Sequence, residues 1–455
     1  LRHEWVKTPF LMKFSPEYLL GKLQLQPLPL AWQVAFSGGL DSTVLLYALR
    51  ALRERLAVPV GAIHIHHGLQ VDADHWADHC RAVCNALDIP LTVLQVDASP
   101  GPGDSPEAAA RHARYTAIAG WLAPDHCLLT AQHRDDQAET LLLQLMRGAG
   151  VQGLAAMPVI SALGQGTHLR PLLEMEREAL LAYARASGLD WIEDPTNTET
   201  DYDRNFLRHE IVPVLRKRWP SVSASLSRSA AHAAEAAGLL DALAMDDRLA
   251  VAGKCDNTLS VTAVAALPPA RQRNILRYWI RQQAGQAPST AVLERVQNDM
   301  LTSREDAGPC VSWGSCQLRR YRDELFLLPA PLPSQTPPEC AWQLQQPLAL
   351  PGNGTLSATR VPGQGLRCAA VGGEGVQVRW RVGGETCRPA GRGHRHALKK
   401  LFQEAGVPPW QRGRIPLLYV GDELAAVAGM WICEPFQAGP QEPGYRIHWS
   451  GRQGG

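Results

Sequence analysis

SGGLDS, residues 37–42, lies between a largely apolar run, Trp32–Phe36, and an apolar-periodic stretch, Thr43–Leu52. Two adjacent glycines behind a serine let the chain turn tightly and bring several backbone N–H groups toward one anion. A helix opening near Asp41 aims the positive end of its dipole at the same point. Strand, glycine turn and helix together predict a phosphate cradle. No G-x-x-x-x-G-K-[ST] occurs in the 455 residues, so this is not a Walker A loop.

Outward from the cradle, strand-like and helix-like stretches alternate to about Ile192. The predicted strands are Trp32–Phe36, Val60–His66, Leu91–Val96 and His126–Thr130; the helices are Thr43–Leu56, Ala73–Leu87, Glu107–Leu122 and Asp136–Arg147. Repeated β-α units predict an α/β fold, a doubly wound, Rossmann-like parallel sheet covered on both faces. Such sheets bind ligands at the carboxyl ends of their strands. SGGLDS, HHG (66–68) and HRDDQAET (133–140) all fall there.

From about Tyr202 to Leu328 the sequence is helical and Ala-rich, most clearly over 223–249, and 329–352 is Pro-rich. Beyond lies a Gly-, Arg- and β-rich region that predicts a small mixed α/β domain. The expected organisation is a catalytic domain (12–215), a helical middle domain (216–330), a linker (331–352) and a basic C-terminal domain (353–455). An apolar content of 45% suffices for ordinary cores, and the length suits about three domains. No run of 18 apolar residues suggests a membrane span, and no export signal is visible, so a cytoplasmic protein is expected. MKFSPEYLL, from Met12, looks more like a natural start than Leu1 does. Ten scattered cysteines form no C-x-x-C and are expected to be reduced, with Cys80 and Cys84 on one helix face.

In HRDDQAET, Asp136 and Glu139 are three apart and share a helix face. Carboxylates at a helix start can be caps, or here can bind Mg²⁺ or a cationic amine beside the cradle. AARHARY (109–115) sets Arg111 and Tyr115 four apart on a helix, either as a surface pair or as a guanidinium clamp for a triphosphate. The His- and Asp-rich stretch 63–80 fits no zinc spacing, and its residues are expected to line the nucleotide pocket.

Arg204 and Arg208 lie four apart at a helix start, where the dipole favours acids instead; a phosphate or RNA contact or a surface pair would explain them. Arg273, Arg277 and Arg281, with Tyr278 and Trp279, make a basic stripe suited to RNA or simply to solvent. The net charge is +1, yet residues 379–414 hold nine Lys/Arg against two Asp/Glu. Arg392, Arg395, Lys399 and Lys400 there surround a Gly-rich loop and a short helix, a phosphate-gripping pattern. Trp410 could stack or pack.

SGGLDS resembles the loop of the PP-loop ATP pyrophosphatases. Together with HIHHGL, AARHARY, HRDDQAETLLLQLMRGAGVQGL, RPLL (170–173), WIEDPTN, YDRNFLRHEIVPVL and the 384–432 stretch, it is similar to the tRNA-isoleucine lysidine synthetase family from about Ala31 to Ile432. Gln132 stands where many relatives have His, and His112 where Glu is usual, so the family's glutamate contact is not carried over. The resemblance implies a two-step reaction. The O2 of the wobble cytidine of a CAU-anticodon tRNA-isoleucine attacks the ATP α-phosphate and releases pyrophosphate; the amine of free lysine then displaces AMP.

By the same resemblance Ser37, Gly38, Gly39, Leu40, Asp41 and Ser42 bind ATP, with Mg²⁺ on Asp41. Asp136 and Glu139 hold lysine, and Asp41, Asp136 and Arg111 are the catalytic set. Arg204, Arg208, Arg392, Arg395, Lys399 and Lys400 face tRNA. A homodimer is entertained without support from these patterns. A PP-loop thiolase fits less well, because the first-domain cysteines form no C-x-x-C. An amide synthetase would need a glutaminase-like domain, and a decayed ATPase that only binds RNA would not keep SGGLDS, Asp136 and Glu139 together.

Overall fold

Ala31, Trp32 and Val34 are buried on both faces of a short strand, as a central strand of a covered sheet must be. A computed structural model describes residues 13–68, 72–97, 99, 106–195, 199–304, 308–332, 337–372 and 375–451. The chain divides into two units, Leu1–Leu239 and Leu240–Gly455.

The N-terminal unit begins α1 (Pro16–Gln24), β1 (Ala31–Ala35), α2 (Leu40–Ala51), β2 (Val60–His66), α3 (Ala73–Ala86) and β3 (Leu91–Gln95). It continues α4 (Pro106–Trp121), β4 (His126–Leu129), α5 (Arg134–Met146), α6 (Val151–Leu154), β5 (Ile160–Leu163), β6 (Gly166–Leu169) and α7 (Arg177–Ala186). Then come α8 (Asp203–Phe206), a π-helical turn over Leu207–Ile211, and α9 (Val212–Arg218); α10 (Val222–Ala250) runs past the end of the unit.

The sheet order is β3-β2-β1-β4-β6-β5, parallel except for the edge strand β5. Chain direction across the sheet reverses between β1 and β4, which are hydrogen-bonded neighbours. A crevice for ligand opens at such a switch point, outside the strand ends. Leu45, Leu46 and Leu49 of α2 pack with Trp32, Val34, Phe36 and with Leu180 and Ala184 of α7 on one face. Ile118 and Leu122 of α4 cover Ile63 and Leu128 on the other. Each such apolar side chain contributes about 1.5–3 kcal/mol by leaving water, enough to hold the strand ends still. Cys80 and Cys84 belong to the first core, on one face of α3.

In the C-terminal unit, helices Val261–Ala265, Pro269–Ala284 and Thr290–Val296 pack on a four-stranded antiparallel sheet. The strands Cys310–Trp313, Cys316–Tyr321 and Glu324–Pro329 lie within the stretch expected to be helical. Arg319 and Arg320 hide their alternation; Arg320 is buried, with Nη1 donating to the carbonyls of Met300 (2.8 Å) and Ser303 (2.7 Å).

The expected linker 331–352 needs correcting. Cys340–Trp342 pairs with Val376–Arg379, and Leu348–Ala349 with Thr355–Pro362, so 340–349 is part of the sheet domain. Trp342, Leu344 and Leu350 supply its buried apolar surface, which the surrounding prolines mask in the sequence. No helix among the described residues is long and apolar enough to cross a membrane.

Candidate active site

The turn between β1 and α2 is braced by its own side chains. The Ser42 hydroxyl donates to the Gly39 carbonyl (3.0 Å) and accepts from the Ser37 N–H (3.3 Å), while Ser37 Oγ lies 3.0 Å from it. The Thr43 hydroxyl donates to the Gly38 carbonyl at 3.3 Å. Gly38 has φ +82°, and a Cβ there would sit 3.0 Å from Ile192 Cδ1 and 3.2 Å from Cys80 Sγ. Only glycine suits both demands. The Ile192 N–H donates to the Gly38 carbonyl at 2.9 Å, so the WIEDPTN stretch buttresses the cradle. Residues 196–198 of that stretch lie outside the described residues.

Asp41 stands in the first turn of α2. Its Oδ1 is buried without a hydrogen-bond partner, and its Oδ2 lies 3.6 Å from His133 Nε2. His133 caps α5: its N–H donates to Asp136 Oδ2 at 3.0 Å, and Asp136 returns a weak 3.4 Å contact to Nδ1. The ring is 1% exposed, with Nε2 also 3.4 Å from Asp136 Oδ2. Burial pushes this imidazole down, but Asp136, Asp41 and Asp135 outweigh it and raise it to about 9. One imidazole thus bridges the cradle and the acid pair, a link that a lone histidine after a strand does not announce.

Asp136 and Glu139 do share a face of α5, and the residues facing them are Arg204 and Arg208. Arg204 donates from Nε to Glu139 Oε2 (3.0 Å) and from Nη2 to Asp136 Oδ1 (3.1 Å). Arg208 donates to both Glu139 oxygens (2.7 and 2.9 Å) and to Asp136 Oδ1 (2.8 Å). Burial works against an ionised Asp136, yet His133, Arg204 and Arg208 hold its carboxyl below the usual range. The two arginines expected to face tRNA therefore occupy the carboxylates expected to hold lysine. A π-helical turn at Leu207–Ile211 carries Arg208; such turns recur at functional sites. Asp135, next in sequence, is structural: it accepts from Arg216 (2.8 Å), Ser223 (2.6 Å) and the Arg177 N–H (3.2 Å).

Arg111 is exposed on α4, its guanidinium 5.2 Å from the centre of the Tyr115 ring. Burial disfavours the charged forms of His168 and Arg170, and the nearby Arg111 adds to it. Behind it runs a polar network: Gln132 Nε2 donates to Tyr115 Oη (3.5 Å), Thr130 Oγ1 lies 2.7 Å from His168 Nε2, and Arg170 Nη2 3.0 Å from His168 Nδ1. Arg170, from RPLL, is buried and donates to the Pro158 carbonyl at 2.8 Å. His64 is buried with Nδ1 2.9 Å from the Phe36 carbonyl, and burial lowers its pKa, so it props up the end of β1.

Among the described residues no group of three or more His, Cys, Asp and Glu could hold a metal. Mg²⁺ asks for less, one or two carboxylates plus water and phosphate oxygens. The unpartnered Asp41 Oδ1 fits that demand.

In the C-terminal unit Arg392, Arg395, Lys399 and Lys400 are all exposed, and Arg392 pairs with Glu404 at 2.7 Å. The Arg273–Arg281 stripe is less open than its spacing suggests. Trp279 is a core residue, 2% exposed, and Arg281 pairs with Asp241 at 2.7 Å. Trp410 packs, with ring centres 5.4 Å from Phe326 and 6.2 Å from Tyr321.

Residues 18–215 match the PP-loop domain family, 259–326 the TilS substrate binding domain and 376–449 the TilS substrate C-terminal domain. The chain is similar to the tRNA(Ile)-lysidine synthase of Methylococcus capsulatus, 47% identical over 92% of this chain and 96% of the relative. It is 45% identical to that of Coxiella burnetii over 95% and 96%, and 44% identical to that of Alkalilimnicola ehrlichii over 96% and 97%. With nearly the full length of each relative covered at this identity, the chain belongs to the tRNA(Ile)-lysidine synthase family of enzymes, built on an ATP-using PP-loop domain.

Proposed function

We propose that this enzyme joins free L-lysine to C2 of the wobble cytidine of CAU-anticodon tRNA-isoleucine, through an adenylated cytidine. The observation that carries the reading is His133, which sets Asp41 of the cradle and Asp136 of the acid pair against one imidazole. Both half-reactions then share one crevice at the β1/β4 switch point.

In the first step the cytidine O2 attacks the ATP α-phosphorus, the bond to the β-phosphate oxygen breaks, and pyrophosphate leaves. Ser37, Gly38, Gly39, Leu40 and Ser42 hold the departing pyrophosphate through the turn and the start of α2. Asp41 would hold Mg²⁺, which neutralises phosphate charge when bound. Arg111 contacts the nucleotide from the rim. In the second step the lysine amine, having lost its ammonium proton, attacks C2 and a C–N bond forms. The C2–O2 bond breaks and AMP departs with that oxygen, the nitrogen's remaining surplus proton passing to solvent. Asp136 and Glu139 receive the lysine ammonium in place of a guanidinium of Arg204 or Arg208. Such positioning in a closed site can supply much of the barrier reduction without covalent help. The exposed Arg392, Arg395, Lys399 and Lys400 grip tRNA phosphates, and Arg204 and Arg208, once released from the acids, approach the tRNA at the active site.

ATP labelled at the α-phosphate tests the intermediate. With lysine omitted, label should stay on the isoleucine tRNA and leave as AMP when lysine is added. AMP formed at the same rate without tRNA, and no label on tRNA, would refute the proposal.

A further inference from the structure

Cys387 and Cys433 are 46 residues apart in sequence, yet their sulfurs approach to 2.7 Å. Both residues are buried, at 2% and 3% exposure. The backbone sets up this approach. The Ala390 N–H donates to the Ile432 carbonyl (3.0 Å) and the Glu434 N–H to the Arg388 carbonyl (2.8 Å), so 387–390 and 431–434 lie antiparallel. An ion pair between Arg388 and Glu434 ties the same two segments.

The two thiols are chemically unequal. Either sulfur can donate to the other, but Cys433 Sγ also accepts a backbone hydrogen bond from Arg388 and lies near Arg395, both of which favour its thiolate against burial. Burial disfavours a thiolate on Cys387. A thiolate-prone sulfur beside a protonated one is the arrangement of an attacking and a resolving cysteine. Both cysteines line a cavity of about 660 Å³, together with Arg388, His394, Arg395 and Tyr419. Cys80 and Cys84 differ: they sit in the core of the N-terminal unit, where burial pushes their thiols up to about 12 and about 11.

We propose that Cys387 and Cys433 form an oxidisable dithiol that takes hydrogen peroxide and closes to a disulfide beneath the Arg388–Arg395 loop. The Cys433 thiolate attacks a peroxide oxygen, the O–O bond breaks, and the departing oxygen leaves as water after taking a proton. Cys433 is then a sulfenic acid. The Cys387 sulfur attacks the Cys433 sulfur, an S–S bond forms, and the hydroxyl leaves as a second water with the thiol proton. Two electrons pass from the thiol pair to the peroxide. The bond would fix the base of the loop that carries Arg392 and Arg395, making the basic surface responsive to oxidant.

The test treats the full chain with hydrogen peroxide alone, then alkylates and maps the cysteines by mass spectrometry. The expected product is a peptide pair linked through 387 and 433, reversed by dithiothreitol, in a protein whose Tm rises by about 5 °C or more. Cys387→Ser should stop at a sulfenic acid on Cys433 that a dimedone probe captures. Cys433→Ser should leave Cys387 unmodified, and so reads the same order of attack should the first variant fold poorly. Oxidation of the exposed Cys310 with 387 and 433 still alkylatable would overturn the proposal. So would protection of both thiols by Zn²⁺ alone with no linked peptide on peroxide treatment, which would mark a metal-binding pair.

Discussion

Arg208 grips Glu139 edge-on: Nε donates to Oε1 at 2.7 Å and Nη2 to Oε2 at 2.9 Å. The Glu139 side chain is 3% exposed, so this fork neutralises a carboxylate that water hardly reaches. Two-pronged charge-assisted pairs of this kind are among the stronger polar contacts in proteins. The acid pair of α5 is thus met by cations belonging to the chain itself.

Arg208→Ala leaves Glu139 buried with Arg204 as its remaining guanidinium partner. We predict a loss of about 1–3 kcal/mol in stability, because an under-satisfied buried carboxylate carries its desolvation penalty. Urea denaturation reads the change directly. An unshifted midpoint would mean that the fork contributes nothing to the fold.

Glu139→Gln keeps the shape and removes the charge. The expected outcome is a KM for lysine raised about tenfold or more, the scale of one lost charge-assisted contact. Transfer of the AMP moiety to tRNA should stay within about threefold. An unchanged lysine KM would remove Glu139 from the amine site.

Much of this arrangement is legible in the sequence, and the remainder is hidden for a definable reason. Val60–His66 is a strand over its expected span, and Leu91–Gln95 differs by one residue, because apolar and β-branched runs there are bounded by turn residues. Helix α2 starts at Leu40 rather than Thr43, since Gly39 already serves as its N-cap. Spacing shows that Asp136 and Glu139 share a face but not what opposes it. Arg204 and Arg208 looked out of place at a helix start, and the acids of α5 resolve that anomaly through contacts distant in sequence. The buried His168–Arg170 pair is invisible for the same reason. Periodicity reports one element at a time, whereas this site is made by three.

Asp41→Asn removes the charge whose Oδ1 has no protein partner. We predict loss of tRNA-dependent AMP formation by at least about 100-fold, the scale on which charge-stabilising groups act in transition states. Binding of tRNA should remain within about twofold by filter binding. Normal turnover in this variant would take Asp41 out of the phosphate chemistry.

The His133 imidazole is raised from 6.5 to about 9 in the folded chain. Its carboxylate contacts therefore stabilise the fold fully below about pH 6.5 and are lost as pH rises through about 9. We predict that about 1–3 kcal/mol of stability disappears over that window, and that His133→Gln abolishes this part of the pH dependence. Parallel pH profiles for the two proteins would contradict the assignment.

Neutralising Arg392, Arg395, Lys399 and Lys400 together should weaken tRNA binding and flatten its salt dependence. Up to four lost phosphate contacts correspond to a slope reduced by about 3 in log K against log salt. Arg392, already paired with Glu404, should contribute least. An unaltered slope would show that this exposed patch does not meet RNA.

The most direct measurement is incorporation of radiolabelled lysine into unmodified CAU-anticodon tRNA-isoleucine, with Mg-ATP and the purified protein, beside a methionine tRNA. The account predicts label in the isoleucine tRNA alone, with one AMP released for each lysine joined. Folded protein that binds this tRNA and ATP yet transfers no lysine would contradict it.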